Sequence, residues 1–402
     1  MLQYMRVKYL FLISVVGSFS LVCLSLSSNA TAFGVLALLA GVCYAFVFVY
    51  MVLRMCEKVV DGFALAYGIV NAGTAVGMMV LPIFTEFLHR TYGWRGTVAI
   101  LGAISLHTSI LVLWMGEPAA KDGVDSQDVR RQPEEHISAV ILNEEHNVSS
   151  GSDVEQSPLE HLLDRGTVSS LDRTQVRLES LQYVCSKLCS NITGCLHETW
   201  KHFGLSILTE LPYTLVLNAG FLVISLVNTA WVIYLIPHGV SKGFPLSQAV
   251  FLALYGSIGQ CIGRVGQGLL VDRNWVTSVE LTIICSIVGA FTLCLDPLFH
   301  NFEIICTLAF IGGLVNGARV SLTVVIVKQF IPRERFKHGY SLNCLFFGVG
   351  EPLGGIVAGY VANAFSFDIA YEVLGSFEIL LSFALITTNY FITRTDTTTD
   401  DI

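Results

Sequence analysis

Ten predominantly apolar stretches divide this chain, each long enough to cross the hydrocarbon core of a bilayer. A crossing helix needs about 20 residues, because lipid offers no partner for backbone N–H and C=O groups and the segment must satisfy its own. The stretches run approximately over Tyr9–Leu26, Phe33–Leu53, Phe63–Glu86, Gly96–Met115, Tyr213–Ile236, Leu246–Val271, Val276–Leu295, Phe302–Val327, Gly339–Asn363 and Ala370–Ile392. A charged fraction of 13% and a mean hydropathy of +0.65 exclude an ordinary water-soluble globule. The fold class implied is an all-α membrane protein.

Lys and Arg in short loops stay on the cytoplasmic side of a membrane. Arg6, Lys8, Arg54, Lys58, Arg273, Lys328, Arg333, Arg335, Lys337 and Arg394 fall in one alternating set of loops, against Arg90, Arg95 and Lys242 in the other. Both termini are therefore expected in the cytoplasm, with a short cytoplasmic tail over 393–402. Residues 1–115 supply four spans and residues 213–392 supply six. Between them Gly116 to Pro212 is rich in Ser, Asp, Glu and Gln, and reads as a cytoplasmic, largely disordered linker. It holds sixteen acidic and eight basic residues, leaving fifteen of each sign elsewhere, so it accounts for the whole net charge of -8. The membrane body is neutral, and no basic surface suggests a nucleic-acid partner. The end of the linker, Leu196 to Leu208, is expected to form a short amphipathic helix in the interface.

Arg6 and Lys8 ahead of an apolar run ending in Ser28, Asn29 and Ala30 have the outline of a signal peptide. The run is longer than a usual signal core and the next span follows after a short turn, which favours a retained first span. Most of the eleven cysteines lie in apolar spans, where Cys acts as a small hydrophobe. Cys185, Cys189 and Cys195, followed by His197 and His202, have too loose a spacing for a zinc site and suit reduced or reversibly acylated thiols better. No metal, cofactor or enzyme constellation is expected.

Two sets of residues resemble a known family. Tyr92 to Gly96 reads YGWRG, like the signature before the sixth helix of monocarboxylate transporters in the major facilitator superfamily, and Ala64 to Gly73 reads ALAYGIVNAG, similar to part of a second signature. Arg54 to Lys58, RMCEK, matches the family's RYFxK only in part. In the second half Gly268 to Arg273 reads GLLVDR, like the superfamily's loop motif between helices eight and nine, and Gly350 to Gly355 reads GEPLGG where the family has GPPxxG. The resemblance implies a major facilitator fold of two helical bundles, here four plus six spans, and secondary transport or symport of small organic anions at the plasma membrane, in some relatives with a single-span accessory protein. In this register the first span stands at the family's third helix, so its first two helices have no counterpart. An incomplete bundle also leaves a second expectation open, a non-transporting membrane protein with a regulatory or partner-binding role.

An ionisable group inside a span costs about 2.5 to 3.5 kcal/mol on insertion scales, so such groups usually face a cavity or a partner. Arg264, Arg319, Glu351 and Glu378 qualify. The resemblance puts Arg264 at the arginine that holds the substrate carboxylate, a task suited to a planar fork of donors; without it, Arg264 reads first as an arginine snorkelling to the membrane edge. Gln260, one turn earlier, stands where proton-coupled relatives have an aspartate, and an amide cannot titrate. Arg319 shares a helix face with Asn316 and Thr323, and Asn71 lies with Tyr67 and Thr74 on another polar stripe; substrate contact and interhelical hydrogen bonding both fit. Glu351 is a candidate for coupling or for an ion pair with Arg319, and Glu378 is expected near the membrane edge. Gly268, Asp272 and Arg273 are expected to latch the cytoplasmic turn, and Gly312, Gly313 and Gly317 to permit close helix approach.

Overall fold

The computed structural model describes residues 7–114, 207–208 and 213–399, with side chains up to residue 390. The linker, its Cys/His cluster and nearly all of the expected interfacial helix lie outside the described residues. The described chain is helical throughout: α1 Val7–Leu24, α2 Ala30–Lys58, α3 Phe63–Ser105, α4 His107–Trp114, α5 Tyr213–Ser241, α6 Leu246–Asp272, α7 Ser278–Leu295, α8 Phe302–Phe330, α9 Phe336–Ala364 and α10 Phe367–Thr399, with a single 3-10 turn at Asp296–Leu298. Nine helical segments among the described residues are long and apolar enough to cross a membrane.

The expected third and fourth spans form one segment, Phe63–Trp114. Its 52 residues would extend about 78 Å at ~1.5 Å per residue, more than twice a bilayer core of ~30 Å. It therefore supplies material for two crossings. They divide at Gly93, whose φ of 68° and ψ of 178° leave the helical region. Such a conformation is open to glycine and costly to other residues. Helical turns persist up to that point partly because Arg90 Nε donates to Glu86 Oε1 at 2.7 Å, four residues back.

α1 runs against the second arm of this segment. Ser14 Oγ lies 3.2 Å from Thr108 Oγ1 and accepts from Ser109 Oγ at 2.9 Å, and Gly102 packs on the α1 backbone at Val22. In the second half the most extensive contact is between α6 and α8, and glycines make it. A Cβ at Gly259 or Gly263 would collide with the α8 carbonyls of Phe310 or Leu314, and one at Gly313 or Gly317 with the α6 carbonyls of Gly256 or Gln260. Lipid gives little hydrophobic drive for helices to associate, so dispersion contact at close backbone approach supplies it. α9 meets α5 in the same way: Gly350 and Gly354 lie against the carbonyls of Leu222 and Leu226.

This packing gives a paired test. Gly263→Leu should lower the thermal unfolding midpoint of detergent-solubilised protein, at an overpacking cost of about 1–3 kcal/mol. Gly266→Leu, on the same helix with nothing within 4 Å, should stay within about 0.5 kcal/mol of the parent. Equal midpoints for the two variants would contradict the glycine-mediated contact.

Candidate functional site

Gly68 of α3 and Gly268 of α6 bring these helices into backbone contact, since a Cβ at Gly68 would strike the Arg264 carbonyl and one at Gly268 would strike Leu65. The Arg264 side chain is enclosed at this seam, 3% exposed. Nη1 donates to the Asn71 carbonyl at 3.4 Å, Nη2 donates to Gln260 Oε1 at 3.1 Å, and Nε has no acceptor. A guanidinium carries five N–H donors. Arg264 thus holds spare donors and has no carboxylate partner among the described residues. It does not snorkel to an edge.

Asn71 extends the seam to α8, donating from Nδ2 to Ser321 Oγ at 3.0 Å, while Thr74 Oγ1 donates weakly to Asn71 Oδ1 at 3.4 Å. Thr74 also lines an open cleft of about 950 Å³ with Gly77, Pro82, Glu86, His89 and Thr97, residues from both sides of Gly93. Arg264, Gln260 and Asn71 are therefore brought together, and Asn71 stands one helical turn from Thr74 at the cleft. Ser321 joins them without a sequence signal beyond its place on a helix already marked by Asn316 and Arg319.

Arg319 is elsewhere. It is fully buried, and its Nη1 pairs with Glu378 Oε2 of α10, also fully buried. Nη2 donates to Asn316 Oδ1, and Ser286 of α7 lies 3.5 Å from Nη1. The guanidinium lies over Gly289, where a Cβ would sit 3.5 Å away. Arg319 and Asn316 thus face α7 and α10, away from Asn71 and Arg264. Glu378, expected near the membrane edge, is the buried partner of the pair. Glu351 is not that partner: it stands on an exposed face of α9.

At the end of the seam Asp272 accepts from the backbone N–H groups of Ala64 at 3.2 Å and Leu65 at 2.7 Å, satisfying free donors at the start of α3 where a carboxylate also favours the helix dipole. Gln267 Nε2 donates to the Ala64 carbonyl at 3.2 Å. Lys328 donates to the Val59 carbonyl at 2.7 Å and lies 3.7 Å from the Phe63 ring centre, and Lys337 pairs with Glu57 at 3.6 Å. Arg273, expected to share the latch, stacks over Trp275 at 5.5 Å instead.

A sequence pattern described as Major Facilitator Superfamily matches residues 1–295 and 278–400. Monocarboxylate transporter 12-B of Danio rerio is 25% identical over 379 residues, covering 90% of this chain and 70% of that protein. Monocarboxylate transporter 12 of Homo sapiens is 22% identical over 329 residues, 80% of this chain and 55% of that protein. Monocarboxylate transporter 9 of Gallus gallus is 22% identical over 350 residues, 79% and 68% respectively. The chain thus spans between 55% and 70% of the length of these relatives. Among solved structures, the human organic anion transporter MFSD10 (TETRAN) superposes with a TM-score of 0.60 at 12% identity, covering 94% of this chain and 76% of that one, a likeness of fold.

Removing one member of a buried ion pair leaves the other charge desolvated, at a cost of about 3–5 kcal/mol. Glu378→Gln should therefore lower the unfolding midpoint strongly, and Glu378→Leu combined with Arg319→Met should recover most of the loss. A double variant as unstable as the single one would contradict the pairing.

Proposed function

This chain belongs to the major facilitator superfamily, a family of transporters and not of enzymes, and we propose that it is a secondary transporter of small organic anions, of the monocarboxylate class, working by alternating access between two helical bundles. The observation that carries this reading is Arg264: an arginine enclosed at the contact between α3 and α6, with an unpartnered Nε and, among the described residues, no carboxylate beside it. A buried guanidinium lacking a counter-charge attracts an anion, and its planar fork suits a carboxylate. The similarity to monocarboxylate transporters supports the same substrate class. Asn71 and Gln260 orient the guanidinium in the closed seam, and an arriving carboxylate would compete for those donors. Arg319 and Asn316, sequence candidates for substrate contact, serve instead to join α7, α8 and α10.

The Asp272, Gln267 and Lys328 contacts close the seam at the end where Arg54, Lys58, Arg333, Arg335 and Lys337 gather. By the distribution of positive charge we assign that end to the cytoplasm, with both termini, the 116–212 linker and the 393–402 tail. The cleft beside Thr74 would then be the route from outside. The plasma membrane is the site we propose, with a single-span accessory protein as a candidate partner. Gln260 cannot carry a proton, so coupling through a titrating pair on α6 is not expected; Glu351, exposed on α9, is the carboxylate left as a coupling candidate.

In cells expressing the protein, Arg264→Ala should reduce carboxylate uptake by roughly 10-fold or more, the factor set by losing hydrogen bonds to a charged group, with surface expression unchanged. Arg264→Lys should rescue poorly, because a point charge cannot make a two-pronged contact. Gln260→Asp should add pH dependence: above its titration range the new carboxylate occupies Arg264 and competes with substrate, and protonation as pH falls releases it, so uptake rises in acid. Normal uptake by Arg264→Ala would overturn the assignment.

A further inference from the structure

The end of α5 opposite the latch carries a buried group that the transport site does not use. His238 is 0% exposed, one residue after the helix-interior Pro237. Its Nε2 lies 2.5 Å from Asp296 Oδ1 in the 3-10 turn after α7. A carboxylate oxygen accepts, so Nε2 carries the proton, and in the neutral ring Nδ1 is then a bare lone pair. Among the described residues that Nδ1 has no hydrogen-bond partner, and it faces Asp368 Oδ1 of α10 at 4.0 Å, an oxygen that makes no hydrogen bond but lies 3.5 Å from the Lys242 ammonium. Two acceptors confront one another across a buried gap.

Lys242, in the turn just past the end of α5, completes the group. Its side chain is 2% exposed, with Nζ 3.5 Å from both Asp296 Oδ1 and Asp368 Oδ1, and it donates to the carbonyls of Asp296 at 2.7 Å and Phe299 at 2.8 Å. The Tyr371 ring of α10 stacks on the imidazole at 4.0 Å between centres and 21° between planes. Next to His238, Gly239 packs against Ala249 and Leu252 of α6, which carry no charge. One ammonium and two carboxylates give the cluster a charge of −1 when His238 is neutral and zero when it is an imidazolium. The second proton would sit on Nδ1, turning the confrontation with Asp368 into a charge-assisted donor and acceptor, and the Tyr371 face would meet a cation. Asp368, 43% exposed, connects the pocket to water.

We propose that His238 is a proton-binding site, and that its occupation clamps the end of α5 to the α7–α8 connection and the start of α10. One proton is taken from bulk water through Asp368 and no other bond changes. In a transporter oriented as above, a reading this last step rests on, the clamp reports the pH outside and holds the external end of α5 in acid; the proton site itself stands without it.

The test uses no substrate. Hydrogen exchange of the peptide covering the end of α5 is measured by mass spectrometry on the full chain in lipid nanodiscs at pH 5.5 and 8.0, on either side of the range in which imidazoles usually titrate, with rates corrected for intrinsic pH dependence. The parent should exchange more slowly at pH 5.5 by roughly 10-fold, the factor of one hydrogen bond to a charged group. His238→Gln, which retains a donor for Asp296 but takes no second proton, should show the same corrected rate at both values, as should Asp368→Asn. Equal protection in the parent at the two pH values, or an undiminished difference in His238→Gln, would overturn the proposal. Either outcome leaves the assignment of Arg264 untouched.

Discussion

Close backbone approach on two faces of α6 is the constraint from which the rest follows. Gly259 and Gly263 admit the α8 backbone on one side, and Gly268, with Gly68 opposite, admits α3 on another. Helices held this close leave no room for a lipid tail or a layer of water between them. Whatever polar side chain α6 carries at the seam is therefore desolvated and must find its partners there. Arg264, between Gly263 and Gly268, is the charged one among them, with Gln260 and Gln267 as its neighbours. Its burial is a consequence of the glycines around it.

The two buried arginines solve the same electrostatic problem in opposite ways. Arg319 has a carboxylate in Glu378, a side-chain amide in Asn316 and a hydroxyl in Ser286, so its charge is balanced within the bundle and it ties three helices together. Arg264 has one long bond to a carbonyl and one to an amide oxygen, neither of which carries a charge. In a low-dielectric setting a net positive group with unused donors calls for a counter-charge, and an anion from outside the chain is the one proposed for it. The Asp272 carboxylate, which the sequence places only two turns away, is committed to the α3 backbone and does not pair with Arg264.

Much of this was legible in the sequence. The spans follow from hydropathy alone, and the close-packing role of Gly313 and Gly317 follows from small residues recurring in an apolar helix. The polar faces at Asn71 and Asn316 were visible as helical stripes, although a stripe does not say which neighbour it meets; Asn71 turned to Ser321 and Asn316 to Arg319 on its own helix. The pairing of Arg319 with Glu378 joins positions 59 residues apart, and nothing local distinguishes Glu378 from Glu351 as the partner. The same holds for His238, whose companions Asp296 and Asp368 come from the turn after α7 and the first turn of α10. The segment Phe63–Trp114 departed from expectation because the YGWRG stretch is held in helical turns on both sides of one glycine, where a loop would have separated the spans.

The role proposed for Arg264 is to select a carboxylate through its unbalanced charge. Its most direct measurement is equilibrium binding, by ligand-induced thermal stabilisation of the purified protein, of a series of small monocarboxylates set against the neutral amides of the same acids. The acids should stabilise the protein and the amides do so little, with that discrimination lost in Arg264→Gln and retained when Arg319 and Glu378 are replaced together by apolar residues. Equal stabilisation by acids and amides, or a preference for acids that survives in Arg264→Gln, would contradict it.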